Sequence, residues 1–427
     1  MTRPQPRAAL LAIGSELLAL GRADTNSPYI AAVLQRVGVE VVFTQVVGDD
    51  ADELAAAMRQ ALARADLVVC TGGLGPTDDD RTRPVAARLL GLPLHEDGAL
   101  VDAMRARFAA RQLAMPEINR RQAMVPDGAT VLANGRGTAP GLWLPTPTGA
   151  MLLLPGPPRE MQPMLEDALT RCLAPRFGLT PGQRRVVVVA GRSESWVDER
   201  LAPLYVPWAA ESPPLRTTVL ASPGVIEVHV SSSGAPPAVL EARLESAVAA
   251  LAAPLGEDVV STDGASLEQA VGVALTARGW RIGLAESCTG GLATARLTDV
   301  AGSSAYVDAA VVAYSNAAKT AHLAVPAELI AAHGAVSEPV AVAMAAGIRA
   351  RGGVEIGVAV TGIAGPGGGT ETKPVGTVCI AVDGPGGVEV RTWRFTGDRA
   401  VIRALAASTA LDRVRRYLRR LAGERPA

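Results

Sequence analysis

Lysine is nearly absent from this chain. Of 41 basic residues only two, Lys319 and Lys373, are lysines, and the rest are arginines. A guanidinium keeps its proton at any accessible pH, whereas an ammonium gives its proton up when desolvated. The two lysine positions are therefore candidates for work that needs an amine. Aromatic residues are scarce too, 3% of 427, so aliphatic cores are expected. The four cysteines (Cys70, Cys172, Cys288, Cys379) are widely separated without CxxC spacing, and the four histidines are scattered. No zinc site is implied, and the expected compartment is a reducing cytoplasm. Charge of one sign is lacking as well. The net charge of −1 leaves no electrostatic footprint for direct nucleic-acid contact. One basic cluster, Arg413, Arg415, Arg416, Arg419 and Arg420, ends the last predicted helix, where cations complement the helix dipole and are expected to stay solvated. No stretch is long and apolar enough to span a membrane. The apolar run after Arg3 and Arg7 is broken by Ser15 and Glu16 and has no cleavage-like site, so it is not read as a signal peptide.

What is present is globular: 48% apolar and 19% charged residues. A chain of 427 residues is too long for one ordinary core. Three segments are expected, at 1–175, 180–258 and 262–427. In the first, the strands ALLAIG, VEVVFTQVV and ADLVVC alternate with helical stretches from about Pro28 to Val37 and Ala51 to Arg64. That alternation predicts an α/β domain with a parallel sheet covered on both faces. The second has the strand RRVVVVAG, a helix after Ser193, two strands around VIEVHVSSS and a helix after Pro237. It reads as a small α+β connector. The third opens with a helix, continues into the strand RIGLAES and ends on a long amphipathic helix after Asp398.

In AESCTGG, Ser287 stands where a strand meets a helix, followed by Thr289, Gly290 and Gly291. Amides at such a turn can bind an anion or steady an oxyanion, although a serine before glycines also reads as a helix cap. A nucleophilic serine needs a base. YSNAAK supplies Tyr314 and Lys319, and a desolvated lysine can serve as in Ser–Lys enzymes. Tyr314 would orient that amine or relay a proton, or simply pack. His322 and His333 are the other bases within reach of the segment, both in ordinary helical context. VTGIAGPGGGT brings Thr361 to a strand end and Gly362, Gly365 and Gly367 to a loop that lets amides approach a phosphate. Lys373 follows, and TGDR places Arg399 where it can fork to a phosphate or form a surface ion pair.

Taken together, these motifs resemble the C-terminal domain of the CinA family, the PncC-type nicotinamide mononucleotide deamidases, over roughly Ser266 to Leu421. The resemblance implies that Ser287 is the nucleophile, that Tyr314, Lys319, Thr361 and Arg399 belong to the site, and that the reaction releases ammonia without a metal.

Upstream, TGGLGPTDDDRT places Gly72, Gly73, Gly75 and Thr77 after a strand, as a phosphate cradle. Asp78, Asp79 and Asp80 follow; they either complement a helix dipole or hold a divalent ion bridging to a diphosphate. Asn26, in DTN, and Asn134, in NGRGTAPG, are further ligand-binding candidates. This segment resembles the molybdopterin-binding fold of MogA and MoeA, and more closely the CinA N-terminal family, over about Arg7 to Pro175. It reads TGGLG where the molybdopterin enzymes usually have TGGTG. The closer resemblance implies a metal-dependent ADP-ribose pyrophosphatase, with Asp79 and Asp80 matching the family's paired aspartates. The leading expectation is thus a bifunctional enzyme of pyridine-nucleotide salvage, acting on small nucleotides as a homodimer. The alternatives are a deamidase with a non-hydrolytic ligand-binding N-terminal module, or an accessory protein in competence or recombination.

Overall fold

The computed structural model describes residues 5–19, 22–179 and 182–423. It divides into two compact units, Met1–Gln183 with Ser232–Leu240, and Arg184–Ser231 with Glu241–Ala427. The α/β class expected from the sequence is what the chain forms.

In the first unit a six-stranded sheet runs in the order Glu40–Val47, Arg7–Ile13, Leu67–Thr71, Ala150–Leu154, Gly141–Pro145, Thr130–Leu132. Its two faces are separately packed. Ala8 and Leu10 meet Ile30, Val33 and Leu34 of the helix Asn26–Arg36, and Met161 and Leu165 of Pro158–Ala168. Ala9, Leu11 and Ile13 meet Leu54 and Met58 of Ala51–Arg64, and Val85 of Thr82–Leu90. This alternation of neighbours along one strand is what burial on both faces requires. The expected parallel sheet is found for the first four strands, but Gly141–Pro145 and Thr130–Leu132 add antiparallel. The reason is local. Thr146 and Gly149 close a tight turn by a backbone bond of 3.0 Å, and a connection that short can only reverse the chain.

The second unit carries two sheets. A four-stranded one, in the order Arg216–Ser222, Val225–Ser232, Gln183–Ala190, Val259–Ser261, packs on the helices Glu194–Tyr205 and Pro237–Ala252 through Val187, Val197, Leu201, Leu244 and Leu251. A five-stranded one runs Val307–Val312, Ile282–Glu286, Ile356–Gly362, Thr377–Gly384, Gly387–Arg394. Its first three strands are parallel and its last two antiparallel. The helices Leu267–Thr276 and Arg399–Leu421 cover one face; Asn316–Leu323, Ala327–His333 and Glu338–Gly352 cover the other. Asp398 caps the last helix through the amide of Val401, at 2.9 Å.

The basic cluster on that last helix is not the solvated end it was expected to be. Arg415 is 2% exposed and binds Asp412 with two nitrogens, at 2.9 and 2.7 Å. Arg416 bridges the other oxygen of Asp412 and the buried carboxylate of Asp258, both at 2.7 Å. Arg415 also donates to the carbonyls of Val259 and Glu257. The connector strand Val259–Ser261 thus closes over this face, and the guanidiniums replace lost water with carboxylates and carbonyls. Among the described residues no helix is long and apolar enough to cross a membrane.

Candidate functional site

In the second unit, Ser287 follows directly on the strand Ile282–Glu286, held to the neighbouring strand by its amide, which donates to Val360 O at 2.9 Å. The chain then turns sharply through Gly290 and Gly291, with φ of +62° and +90°, a region that side-chain-bearing residues rarely occupy. Glu286, 1% exposed, holds that turn. Its carboxylate accepts from the amides of Gly291, Ala293 and Thr294 and from the Thr294 hydroxyl, at 3.0, 3.2, 2.9 and 2.6 Å. Of the turn amides expected to cradle an anion, that of Gly291 is thereby already taken, together with the helix amides of Ala293 and Thr294.

Lys319 reaches the serine from the helix Asn316–Leu323. Its side chain is 1% exposed, and Nζ lies 3.0 Å from Ser287 Oγ, 2.9 Å from Ala313 O and 3.5 Å from Tyr314 O. None of these partners is anionic, and burial lowers the lysine below its ordinary pKa. Nζ faces three oxygens to which an ammonium donates; once deprotonated it keeps two N–H bonds for the two carbonyls and turns a lone pair to the serine hydroxyl. A cavity of about 250 Å³ opens onto this pair, lined also by Tyr314, Thr361, Gly362, Gly365, Gly367 and Arg399. Arg399 donates to Gly365 O and Tyr314 Oη, both at 2.7 Å. It has no carboxylate partner among the described residues, so its charge is available. Thr361, 1% exposed, donates to Ala335 O at 2.9 Å and fixes the opposite wall.

The structure therefore brings Ser287, Lys319, Tyr314, Thr361 and Arg399 to one cavity. Four other expectations need correction. Thr289 is fully buried, and neither it nor Gly290 nor Gly291 lines the cavity; they form the turn that aims Ser287. Arg403 steadies that turn by donating to Thr289 O at 2.7 Å. Lys373 points its ammonium at His333 O, 2.7 Å away, outside the cavity. Sequence reasoning missed Glu286 and Asn316, which sit inside the quoted motifs AESCTGG and YSNAAK. It also missed Ala335 and Val336, which carry no chemical signal. Cys288, beside the nucleophile, is buried, and burial pushes its thiol up to about 12. That keeps it protonated at neutral pH, so it does not compete as a thiolate.

The first unit holds a larger cavity of about 920 Å³ at the carboxyl ends of its parallel strands, bounded by Gly72, Gly73, Gly75, Asn26 and Gly156. Gly72 has φ +104°, and a Cβ there would fall 2.1 Å from Ile13 O, so the loop can only pass this close to the first strand with glycine. Asn26 lies in the cavity, but Asn134 and Thr77 do not line it. Asn134 folds its own loop, donating to Ala139 O and Glu160 Oε2 at 2.8 Å each and accepting from the amides of Arg136 and Gly137. Thr77 donates its hydroxyl to Asp80 at 2.5 Å.

The three aspartates do not converge as a metal set. Both oxygens of Asp80 are taken up by the loop, accepting from Gly75 N at 2.7 Å and Thr77 N at 2.9 Å. Asp78 turns away to pair with Arg121. Asp79 also lines the cavity, and a hydrogen bond from the Thr77 side chain holds its carboxyl below the usual carboxylate range. Among the described residues no three His, Cys, Asp or Glu groups are placed to hold a metal ion. Consecutive residues in a turn point in different directions, so adjacency in sequence did not become convergence in space.

Fold and sites define a two-unit α/β protein with a cavity in each unit. Residues 264–418 match the model of the CinA C-terminal domain, and residues 9–175 that of the probable molybdopterin binding domain. A CinA-like protein of Acidobacterium capsulatum is 44% identical over 415 residues, covering 96% of this chain and 99% of that protein. A putative competence-damage inducible protein of Symbiobacterium thermophilum is 45% identical over 425 residues, covering 96% and 98%. The crystal structure of a Competence-Damaged Protein (CinA) superfamily protein from Klebsiella pneumoniae is 42% identical, covering 36% of this chain and 96% of that one, with a TM-score of 0.35. The chain belongs to the CinA family.

Proposed function

We propose that the C-terminal cavity is a serine amidohydrolase site that converts nicotinamide mononucleotide to nicotinate mononucleotide and ammonia. The observation that carries this reading is the 3.0 Å approach of Ser287 Oγ to a buried Lys319 Nζ whose other contacts are neutral carbonyls. Lys319, neutral, takes the hydroxyl proton of Ser287 as Oγ attacks the carboxamide carbon. The same proton passes from Nζ to the departing nitrogen, ammonia leaves, and an ester to Ser287 remains. A water then attacks the ester carbon, giving one proton to Lys319, which returns it to Ser287 as the carboxylic acid leaves and loses its remaining proton to solvent. Arg399, with no carboxylate partner among the described residues, and the loop of Gly362, Gly365 and Gly367 suit a phosphate at the cavity mouth. The test is ammonia release from nicotinamide mononucleotide by the full chain and by Ser287→Ala. Release by the wild type alone supports the reading, and equal release by both removes Ser287 as nucleophile.

A second activity is favoured by the 920 Å³ cavity of the first unit, with its glycine loop at strand ends. We infer that it takes ADP-ribose and cleaves the diphosphate to AMP and ribose 5-phosphate. Among the described residues no ready-made ligand set for a divalent ion is found, and an EDTA titration decides whether this activity depends on metal. A homodimer is the expected assembly, and sedimentation tests it.

A further inference from the structure

Among the described residues of the connector, none lines the cavity that holds Ser287. The connector is nevertheless packed into the fold around it. Val225 lies against the same core cluster as Leu284, Cys288 and Ala293. Beside it, Gly224 sits in the turn between the strands Arg216–Ser222 and Val225–Ser232 with φ +81°. A Cβ built on Gly224 would lie 2.7 Å from Ser408 Cβ, so only glycine lets this hairpin tip seat so closely on the helix Arg399–Leu421.

Ser408 is buried, and its single hydroxyl is used twice. It donates to Pro223 O of the hairpin at 2.6 Å and accepts from Arg296 at 2.7 Å. Arg296 belongs to the helix Leu292–Thr298, which leads directly out of the nucleophile turn, and its Nε binds Glu268 at 2.5 Å. That helix supplies the amides of Ala293 and Thr294 that hold Glu286, the residue before Ser287. Arg403, on the same helix as Ser408, grips the turn itself at Thr289 O. Both supports of the turn therefore converge on the helix that seats the connector hairpin. Lys319 comes from the helix Asn316–Leu323 on the opposite face of the sheet. A shift of the turn would thus not be matched by its partner, and the 3.0 Å approach of Ser287 to Lys319 would change.

We propose that Ser408 and Arg296 are positioning residues of the amidase, through which the seat of the connector hairpin sets the alignment of Ser287 with Lys319. The inference rests on the reading of Ser287 as the nucleophile. Two variants of the full chain test it. Ser408→Ala removes the shared hydroxyl without adding volume. Gly224→Ala changes no residue of the C-terminal domain and presses a methyl group against Ser408. Each should lower kcat for ammonia release, per folded chain, by about tenfold, since a misplacement of about 1 Å can cost up to about 10²-fold. KM should stay within about twofold, because Arg399 has its own bonds to Gly365 O and Tyr314 Oη. Added to Ser408→Ala, Gly224→Ala should cost less than about twofold more, as both act through one hydroxyl. Hydrogen exchange gives a readout apart from activity. The amides of Gly291, Ala293 and Thr294 should exchange about threefold faster or more in both variants, while the strand Ile356–Gly362 exchanges as before. A kcat within about twofold of the wild type in Ser408→Ala overturns the inference. So does faster exchange spread evenly over the domain, the sign of a merely structural bond. If the wild type itself releases no ammonia, exchange decides alone. A response confined to the turn then leaves the inference standing and sinks the deamidase reading, and no response overturns the inference. Release that depends on Ser287 but is indifferent to both variants keeps the deamidase and removes the role of the connector.

Discussion

Lys319→Met isolates the amine from the volume it fills. Methionine keeps an unbranched apolar stem in a site that is 1% exposed, so the cavity stays filled. It removes the group 3.0 Å from Ser287 Oγ and leaves Ala313 O without its 2.9 Å donor. The lost donor costs about 1–3 kcal/mol, and the relief of a desolvated amine offsets it, so the fold should survive. Catalysis should not: general-base assistance contributes about 10²–10⁴-fold, or about 3–5 kcal/mol at roughly 1.36 kcal/mol per decade. The pH profile adds a second reading. Burial depresses the lysine from its ordinary value of 10.5, so the folded chain binds fewer protons than the unfolded chain between the two values. The resulting destabilisation is full below the folded pKa, shrinks as pH rises, and vanishes above 10.5. The stability of the wild type relative to Lys319→Met should therefore increase with pH across that window. In the same direction, wild-type kcat/KM should climb along a limb lying below 10.5 that the variant lacks. The assays are ammonia release and denaturant melts from pH 6 to 10, with Lys319→Arg as the variant that keeps a cation but cannot deprotonate. Turnover by Lys319→Arg within threefold of the wild type would refute the argument that a neutral amine is the base.

Other consequences can be checked on the same protein. Asp412→Ala strips Arg415 and Arg416 of the carboxylate they share; breaking such a buried network should cost about 3–5 kcal/mol in a urea melt, and a loss below 1 kcal/mol would mean solvent already reaches it. Glu286→Gln puts an NH₂ against one of the amides that its carboxylate now accepts from, so kcat should fall more than KM changes. A shift in KM alone would show that the turn does not aim Ser287. All four cysteines are buried, and burial pushes Cys288 to about 12, so a thiol reagent at pH 8 should react only after denaturant is added. Stoichiometric labelling of the native chain would contradict that burial.

Much of this protein was legible one residue at a time. The strands and capped helices follow from local apolar period and turn chemistry, as at Ala51–Arg64, whose N-cap Asp50 accepts from Asp52 N and Glu53 N. The scarcity of lysine pointed to Lys319 without any structure. Short motifs predicted Ser287, Thr361 and Arg399 because strand ends and glycine turns repeat the same local geometry wherever they occur. Direction and partnership were another matter. Whether Asp78, Asp79 and Asp80 face one point depends on successive turn dihedrals. Whether Lys373 reaches the cavity depends on where a carbonyl 40 positions away, at His333, happens to lie. Whether Arg415 meets water or Val259 O, and Arg416 water or Asp258, depends on a connector strand closing over them. Secondary structure is set by interactions a few residues apart, so composition and spacing reveal it. The pairing of charges and the neutral surroundings of Lys319 arise from contacts between distant segments, and only the folded chain decides them.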